Sequence, residues 1–115
     1  MIINRWSIFR ANLDPVIGSE QGKTRPVLVI SDDDINILLN CVNVLPITSR
    51  KEGRLVYPNE VLLPEEVYNL PNESIILCHQ IRTLDKRRLT YKYSSIADVQ
   101  IQTDVLDALY FQLGF

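Results

Sequence analysis

LDPVIGSEQGKTRPVLVIS, residues 13–31, is the most informative part of this 115-residue chain. Asp14-Pro15 ends a preceding strand, and the two glycines that follow mark residues 16–24 as a polar loop that is able to move. Residues 26–31 then form a continuous apolar run of strand length. The pattern predicts a loop that leads into a buried strand, with Arg25 at the start of that strand.

Short strands dominate the chain on either side of this stretch. The runs between turn residues are rich in apolar and β-branched residues. We expect a turn or loop at the acidic residues 32–34, one helical turn at 65–68, and a tight turn or short 3₁₀ piece at 86–89. The further predicted strands cover residues 6–13, 37–47, 54–57, 60–63 and 74–83.

The tail, residues 98–113, has a different pattern. In DVQIQTDVLDALYFQL the apolar residues recur at helical spacing, which predicts one helix with one apolar stripe. Asp98 is the expected N-cap and Gly114 the expected stop. Because no helices separate the strands, the pattern indicates one mainly β domain, residues 1–115, with a small, curved antiparallel sheet or barrel and a C-terminal helix. The predicted stripe consists of Val99, Leu106, Leu109, Tyr110 and Leu113.

Composition restricts the class of protein. Hydrophobic residues make up 46% and charged residues 23%, near the average for soluble globular proteins. No apolar run approaches the ~20 residues that span a bilayer, and the N-terminus lacks a signal-peptide core, so we expect a cytoplasmic protein without membrane contact. The net charge of −2 argues against a general nucleic-acid binder. Residues 82–92 nevertheless hold five basic residues and one acid, which form either a local basic surface or merely a solvated turn.

The metal ligands and nucleotide motifs of many enzymes are missing from the sequence. Cys41 and Cys78 lie inside apolar stretches, and His79 is the only histidine. We therefore expect two buried, reduced thiols and no zinc centre, since a structural site needs four N or S ligands. GxxxxGK[ST], GxSxG and GxGxxG are absent, so we expect no cofactor and a chemistry that needs few protein groups.

RNA cleavage is one such chemistry, because the substrate supplies its own nucleophile, the ribose 2′-OH. The protein has to orient the phosphate, stabilise the charge that develops on its oxygens and help to move two protons. An arginine suits the second task, since its fork matches two phosphate oxygens and stays charged. Arg25 and Thr48-Ser49, at predicted strand ends, supply a cation and hydroxyls. The alternatives are a surface ion pair for Arg25 and a strand-closing role for Thr48.

Four stretches of this sequence resemble the MazF/PemK family of toxin endoribonucleases. The most specific is the loop and strand GSEQGKTRPVLVIS at residues 18–31. LPITS at 45–49, QIRTLDKRRL at 80–89 and the ending at 108–114 match as well, in the same order. The resemblance extends from about residue 5 to the C-terminus.

The resemblance implies a fold, an activity and partners. The family has an SH3-like small β-barrel with a C-terminal helix, and its members are homodimers. They cut single-stranded mRNA at short motifs without a metal or cofactor, leaving a cyclic or 3′-phosphate and a 5′-OH. A cognate antitoxin wraps the dimer and blocks the RNA groove.

The resemblance also implies roles for individual residues. Arg25 stabilises the phosphate and Thr48 supplies the hydroxyl at the scissile bond. The loop 18–23 closes over RNA and is displaced by the antitoxin. The implied RNA-binding residues are Ser19, Gln21, Lys23, Ser49, Gln80 and Arg82.

The chain departs from the family pattern at a position relevant to catalysis. The residue before Gln80 is often Asp or Glu in the family, and here it is His79. A histidine transfers protons near neutral pH, and Glu20 in the loop is a second candidate for that role. The alternatives are a His79 that bonds backbone or stacks on RNA, and a Glu20 that is merely solvated.

Two rival functions remain open at the level of sequence. One is a toxin of the same fold that poisons DNA gyrase by binding and cuts no RNA. The other is an inactive paralogue that folds and binds antitoxin. The pair Arg25 and Thr48 favours the ribonuclease, because a gyrase binder does not need it.

Overall fold

Over residues 1–64 and 67–115, the computed structural model contains seven β-strands and two α-helices. The strands are β1 (Ser7–Asn12), β2 (Thr24–Val29), β3 (Cys41–Ser49), β4 (Glu60–Leu63), β5 (Ser74–Leu77), β6 (Arg82–Asp85) and β7 (Leu89–Ser95). The helices are α1 (Asp33–Leu38) and α2 (Val99–Leu113), and 3₁₀ turns lie at Cys78–Gln80 and Lys86–Arg88.

All strand pairs are antiparallel, and β3 is the strand that connects the sheet. One edge of β3 pairs with β2, while its other edge pairs first with β6 and then with β5. The order is β4-β5-β3-β2-β1-β7, with β6 beside β3. The predicted mainly β, antiparallel class with a C-terminal helix is confirmed. Among the described residues the sheet stays open rather than closing into a barrel, and α2 packs against β4 at one end of it.

The apolar run of β2 is buried on both of its faces. Leu28 belongs to one core cluster, whereas Val27 and Val29 belong to a second one. Side chains alternate between the two faces of a strand, so a strand covered on both faces is apolar throughout. This double burial explains the unbroken run that the sequence shows, and it holds the start of β2 in a fixed place.

Helix α2 begins and ends where the sequence predicts. The Asp98 side chain accepts hydrogen bonds from the amides of Gln100 and Ile101, and Gly114 closes the helix at φ +72°. The predicted stripe, however, is wrong except for Leu109. The helix turns a different side to the sheet, on which Val105 and Leu109 lie with Ala108 in the buried face. The buried residues are Val105, Ala108 and Leu109, whereas Val99, Leu106, Tyr110 and Leu113 are exposed.

Local hydrogen bonds correct several other predicted elements. Asp32 caps α1 by accepting from the Asp34 amide, so residues 32–34 begin a helix and strand β3 starts at Cys41 rather than at residue 37. The predicted strand 74–83 is interrupted by the 3₁₀ turn Cys78–Gln80. The predicted 3₁₀ turn near residue 86 is confirmed. The helical turn expected at 65–68 lies partly outside the described residues.

Only one of the two cysteines is fully buried, against the expectation for both. Burial raises the pKa of the Cys78 thiol to about 12, which makes it a packing residue. Cys41 is half-buried. No helix in the described part of the chain has the length and apolar character needed to cross a membrane.

An ion pair explains why residues 54–57 do not form the predicted strand. The Arg54 guanidinium donates to both Glu60 carboxylate oxygens, at 3.0 and 2.7 Å, and to the Leu55 carbonyl. The Glu60 side chain, only 2% exposed, also accepts from the Tyr57 amide. These bonds fold the segment back on itself. The hydrogen bonds from Arg54 lower the pKa of the Glu60 carboxyl, an effect that burial opposes.

We expect Glu60→Gln to lower the free energy of unfolding at pH 7 by about 2 kcal/mol, less than for a fully enclosed pair because Arg54 is partly solvated. A lowered pKa stabilises the fold above the ordinary glutamate pKa of about 4.3, and this stabilisation is lost as the pH falls through the lowered value. Denaturant unfolding at several pH values measures both effects.

The matched control is Glu73→Gln, because the Glu73 carboxylate, which pairs with Arg50, is 42% exposed. This substitution should lower the free energy of unfolding by less than about 1 kcal/mol. A Glu60→Gln deficit that stays constant from pH 7 to pH 3 would contradict the assignment of a depressed pKa.

Candidate active site

The register between β2 and β3 brings Arg25 and Thr48 together. Val27 lies opposite Pro46, so two residues further out Arg25 comes beside Thr48. Arg25 Nη1 lies 3.3 Å from Thr48 Oγ1 and donates to it. Both residues are half-buried. A permanent cation and a hydroxyl thus meet where the buried part of the two strands ends.

Two loop residues fix the orientation of the Arg25 guanidinium. Arg25 Nε donates to the Gly22 carbonyl at 2.7 Å. The Gln21 carboxamide, with its oxygen assigned toward Arg25, lies 2.6–3.2 Å from all three guanidinium nitrogens. An atom that close to all three nitrogens lies over the face of the group. The Nη1–Nη2 edge beside Thr48 is therefore the edge at which an anion can bind in the guanidinium plane.

The guanidinium and the hydroxyl open into a depression of about 200 Å³, which we name the Arg25 groove. Its walls combine polar strand ends with apolar side chains. The Ser49 hydroxyl lies at its rim and accepts a hydrogen bond from Asn72. Such a groove suits an anionic oxygen beside an apolar or aromatic group. Its lining includes Arg25, Thr48, Ser49, Leu70, Pro71, Ser74 and Tyr93.

The β1–β2 loop, residues 13–23, is attached to the body of the protein at its base and near its tip. At the base, Leu13 donates to the Lys23 carbonyl and Arg82 donates to the Leu13 carbonyl. Near the tip, the Gln80 carboxamide accepts from the Gln21 amide and donates to the Ser19 carbonyl, both at 3.0 Å. The sequence predicts that this loop is able to move. The structure gives it a defined closed position beside Arg25.

The four predicted catalytic residues fall into two pairs. Arg25 and Thr48 line the Arg25 groove, whereas Glu20 and His79 line a separate depression of about 220 Å³, the His79 depression, together with Gln80, Ile81 and Arg82. The contact between Gln80 and the β1–β2 loop links the Arg25 groove and the His79 depression. His79 is exposed, and Glu20 accepts a hydrogen bond from the Ile17 amide within the loop.

Much of the basic run 82–92 serves the structure rather than an open surface. Arg82 and Arg88 donate to backbone carbonyls at the end of β1 and the start of the β1–β2 loop. Arg87 pairs with Asp85, and these hydrogen bonds lower the pKa of the Asp85 carboxyl to about 2. The segment does carry a local positive charge, but its three arginines already bond other groups of the protein.

Gly22, for which the sequence predicts only a place in a loop, is crowded in the structure. A Cβ atom at this position would lie 2.7 Å from Asp14 Oδ1 and 2.8 Å from Val16 Cγ2. The Gly22 carbonyl also holds Arg25. A glycine between two polar residues looks like an ordinary loop residue, so hydrophobic periodicity carries no signal for this role. Within residues 1–64 and 67–115, no group of three or more His, Cys, Asp or Glu side chains is placed to hold a metal ion.

Comparisons with known proteins agree on one family. The family model described as PemK-like, MazF-like toxin of type II toxin–antitoxin system matches residues 4–113. Endoribonuclease EndoA of Bacillus subtilis is 39% identical over 114 residues, which cover 99% of this chain and 97% of the relative.

Solved structures give the same result. MazF from Deinococcus radiodurans is 29% identical, with a TM-score of 0.83 and coverage of 100% of this chain and 99% of that one. A MazE–MazF structure from the same organism is 28% identical, with a TM-score of 0.75 and coverage of 100% and 98%.

We expect Gly22→Ala to push the Asp14 side chain away, because the new Cβ would lie 2.7 Å from Asp14 Oδ1 and 2.8 Å from Val16 Cγ2. The amide of Lys23, which donates to Asp14 Oδ1 at 2.9 Å, should then exchange its hydrogen at least about tenfold faster. Amide hydrogen exchange measures this directly. Ser19→Ala in the same loop is the control, since the hydrogen bond to Gln80 uses the Ser19 backbone carbonyl. Equal protection of Lys23 in Gly22→Ala and the unsubstituted protein would refute the crowding argument.

Proposed function

The chain belongs to the family of PemK-like, MazF-like toxins of type II toxin–antitoxin systems, and we propose that it is an endoribonuclease that cleaves single-stranded mRNA in the Arg25 groove. The observation that carries this proposal is the pairing of Arg25 with Thr48, at 3.3 Å, in a groove open to solvent. A guanidinium held in this way offers a phosphodiester two donors in a fixed plane.

The proposed reaction uses the ribose 2′-OH as nucleophile. Its oxygen attacks the adjacent phosphorus, the bond from phosphorus to the 5′ oxygen breaks, and the products are a 2′,3′-cyclic phosphate and a 5′-OH. Negative charge builds up on the non-bridging oxygens in the transition state. Arg25 neutralises that charge and Thr48 donates a hydrogen bond to the same phosphate. Both groups are oriented before substrate binds, so little reorganisation is needed.

Two protons have to move in this reaction. One leaves the 2′-OH and one reaches the departing 5′ oxygen. His79 and Glu20 are our candidates, because both line the depression next to the Arg25 groove. The Gln21–Gln80 contact joins the His79 depression to the loop beside Arg25, so proton transfer from this depression to RNA in the Arg25 groove uses a bridging water.

The six proposed RNA-binding residues surround the two depressions. Ser49 lines the Arg25 groove with its hydroxyl at the rim, and exposed Lys23 lies at the junction of the loop with β2. These two are suited to contact the backbone of RNA on either side of the scissile phosphate. Of the other four, Gln80 and Arg82 bond loop backbone, Gln21 lies against Arg25, and Ser19 accepts from Gln80 through its backbone carbonyl.

We further propose a homodimer and a cognate antitoxin as partners. The MazF of Deinococcus radiodurans occurs in a structure with MazE, which supports an antitoxin for this chain. Exposed apolar residues offer surfaces for protein partners, among them Tyr110 on α2 and Ile37 and Leu38 on α1. A cytoplasmic location follows from an mRNA substrate.

We expect Arg25→Ala to reduce the cleavage rate by about 10³-fold while the protein stays folded, because the main stabiliser of the phosphate charge is gone. Thr48→Val keeps the shape and removes the hydroxyl, and we expect a loss on the order of 10²-fold. The measurement is single-turnover cleavage of a long single-stranded RNA, with circular dichroism as the test of folding.

Arg10→Ala is the matched control, because it removes an exposed arginine from β1 and should cleave at nearly the normal rate. Wild-type cleavage by Arg25→Ala would eliminate the proposed role of Arg25. An unsubstituted protein that leaves RNA intact but inhibits DNA gyrase would replace the ribonuclease with the gyrase-binding alternative. Intact RNA without gyrase inhibition, in a chain that still binds antitoxin, would indicate an inactive paralogue.

We also expect cleavage to continue in excess EDTA, because Arg25 supplies the charge stabilisation that a divalent ion gives other nucleases. The fragments should carry 5′-OH ends, which a kinase labels without prior phosphatase treatment. Loss of activity in EDTA, restored by added Mg²⁺, would overturn the metal-independent mechanism.

A further inference from the structure

Gln80 is the residue through which the tip of the β1–β2 loop is joined to the rest of the fold. It is half-buried at the end of the 3₁₀ turn Cys78–Gln80, far in sequence from its partners. Its Oε1 accepts from the Gln21 amide and its Nε2 donates to the Ser19 carbonyl, each at 3.0 Å. One side chain thereby holds the backbone on both sides of Glu20.

The residues that Gln80 holds are next to those that orient Arg25. Gln21, whose amide bonds Gln80, covers the face of the guanidinium with its own side chain. Gly22, the next residue, accepts from Arg25 Nε at 2.7 Å. A shift at Gln21 therefore changes both contacts of Arg25 with the loop. Gln80 acts on Arg25 through two covalently linked residues.

Apart from the contacts of Gln21 and Gly22 with Arg25 itself, the other attachments of the loop to the rest of the fold lie at its base. Arg82 and Arg88 reach Leu13 and Asp14, and Lys23 bonds Asp14. Within the tip, the bonds between Ile17 and Glu20 are internal to the loop. Among the described residues, the two Gln80 bonds are the backbone hydrogen bonds that join residues 19–21 to another element.

We propose that Gln80 is a positioning residue for catalysis: its carboxamide closes the β1–β2 loop, and the closed loop aims the Arg25 guanidinium at the phosphate. This inference rests on the proposed RNA cleavage at Arg25. It differs from a role for Gln80 in reading RNA bases, because each functional group of the carboxamide makes a hydrogen bond to the loop backbone. A displacement of about 1 Å at a catalytic group costs up to 10²-fold in rate, so a hydrogen bond to Gln21, whose side chain lies against Arg25, matters.

The first test is Gln80→Met, which keeps the length of the side chain and removes both hydrogen bonds. We expect kcat for RNA cleavage to fall at least about tenfold, while KM changes less than about twofold. Gln100→Met, the same change on the exposed side of α2, is the control and should cleave normally. A higher KM with unchanged kcat would indicate base reading and would overturn the proposal.

Gln80→Glu gives a readout that depends on pH. The carboxylate still accepts from the Gln21 amide but faces the Ser19 carbonyl without a proton to donate. Protonation restores the donor. The activity of Gln80→Glu relative to the unsubstituted protein should therefore rise several-fold as the pH falls toward 5. Glu20, His79 and Arg82, which line the same depression, are present in both proteins, so the ratio compares the two side chains at position 80 among the same neighbours. A ratio that does not change with pH would count against the proposal.

Hydrogen exchange tests the contact without reference to activity. The Gln21 amide should be protected in the unsubstituted protein and in Gln100→Met, and should exchange at least about tenfold faster in Gln80→Met. Equal protection in all three would refute the inference even if RNA cleavage is confirmed. If the unsubstituted protein leaves RNA intact, the proposed function is refuted instead. Hydrogen exchange does not depend on RNA cleavage, so the two failures can be told apart.

Discussion

The register of two buried strands determines where Arg25 lies. β2 is apolar on both faces, so it can neither slide nor rotate without exposing Val27 and Val29 or Leu28. That constraint fixes Val27 opposite Pro46 and brings Arg25 to Thr48. A long, flexible side chain is thus placed beside Thr48, at the edge of a groove, by core packing rather than by local sequence. The loop then orients the guanidinium plane through Gln21 and Gly22.

The sequence predicted the elements whose signals are local. The strand after Arg25 follows from its apolar run, and α2 follows from Asp98, its periodicity and Gly114. The face that α2 buries could not be predicted. Its apolar residues occupy more than one side, and which side is buried depends on how α2 packs against β4 in the assembled fold. The same applies to residues 54–57, where the pairing of Arg54 with Glu60 overrides strand propensity.

The candidate site was predictable in its chemistry and only partly in its geometry. Arg25 and Thr48 have the residue types that phosphate stabilisation needs, and the structure brings them together. Gln80 and Gly22 act through contacts that carry no periodic signal. Gln80 meets Gln21 across 59 residues of sequence, and Gly22 is required by the space between Asp14 and Val16. Such contacts become visible only when the chain is folded, because they depend on shape rather than on pattern.

The basic segment 82–92 shows why a count of charges is a poor guide to an RNA surface. Arg82 and Arg88 hold the strand end and loop that precede Arg25, and Arg87 is paired with Asp85. Their charges still contribute to the field around the groove over about one Debye length, roughly 8 Å in physiological salt. Their donors, however, are used to build the loop. In a chain of net charge −2, these arginines thus mostly fix the strand end and the loop that precede Arg25. One well-oriented arginine is sufficient for this reaction because the RNA supplies its own nucleophile. The protein has to supply little beyond a correctly held cation.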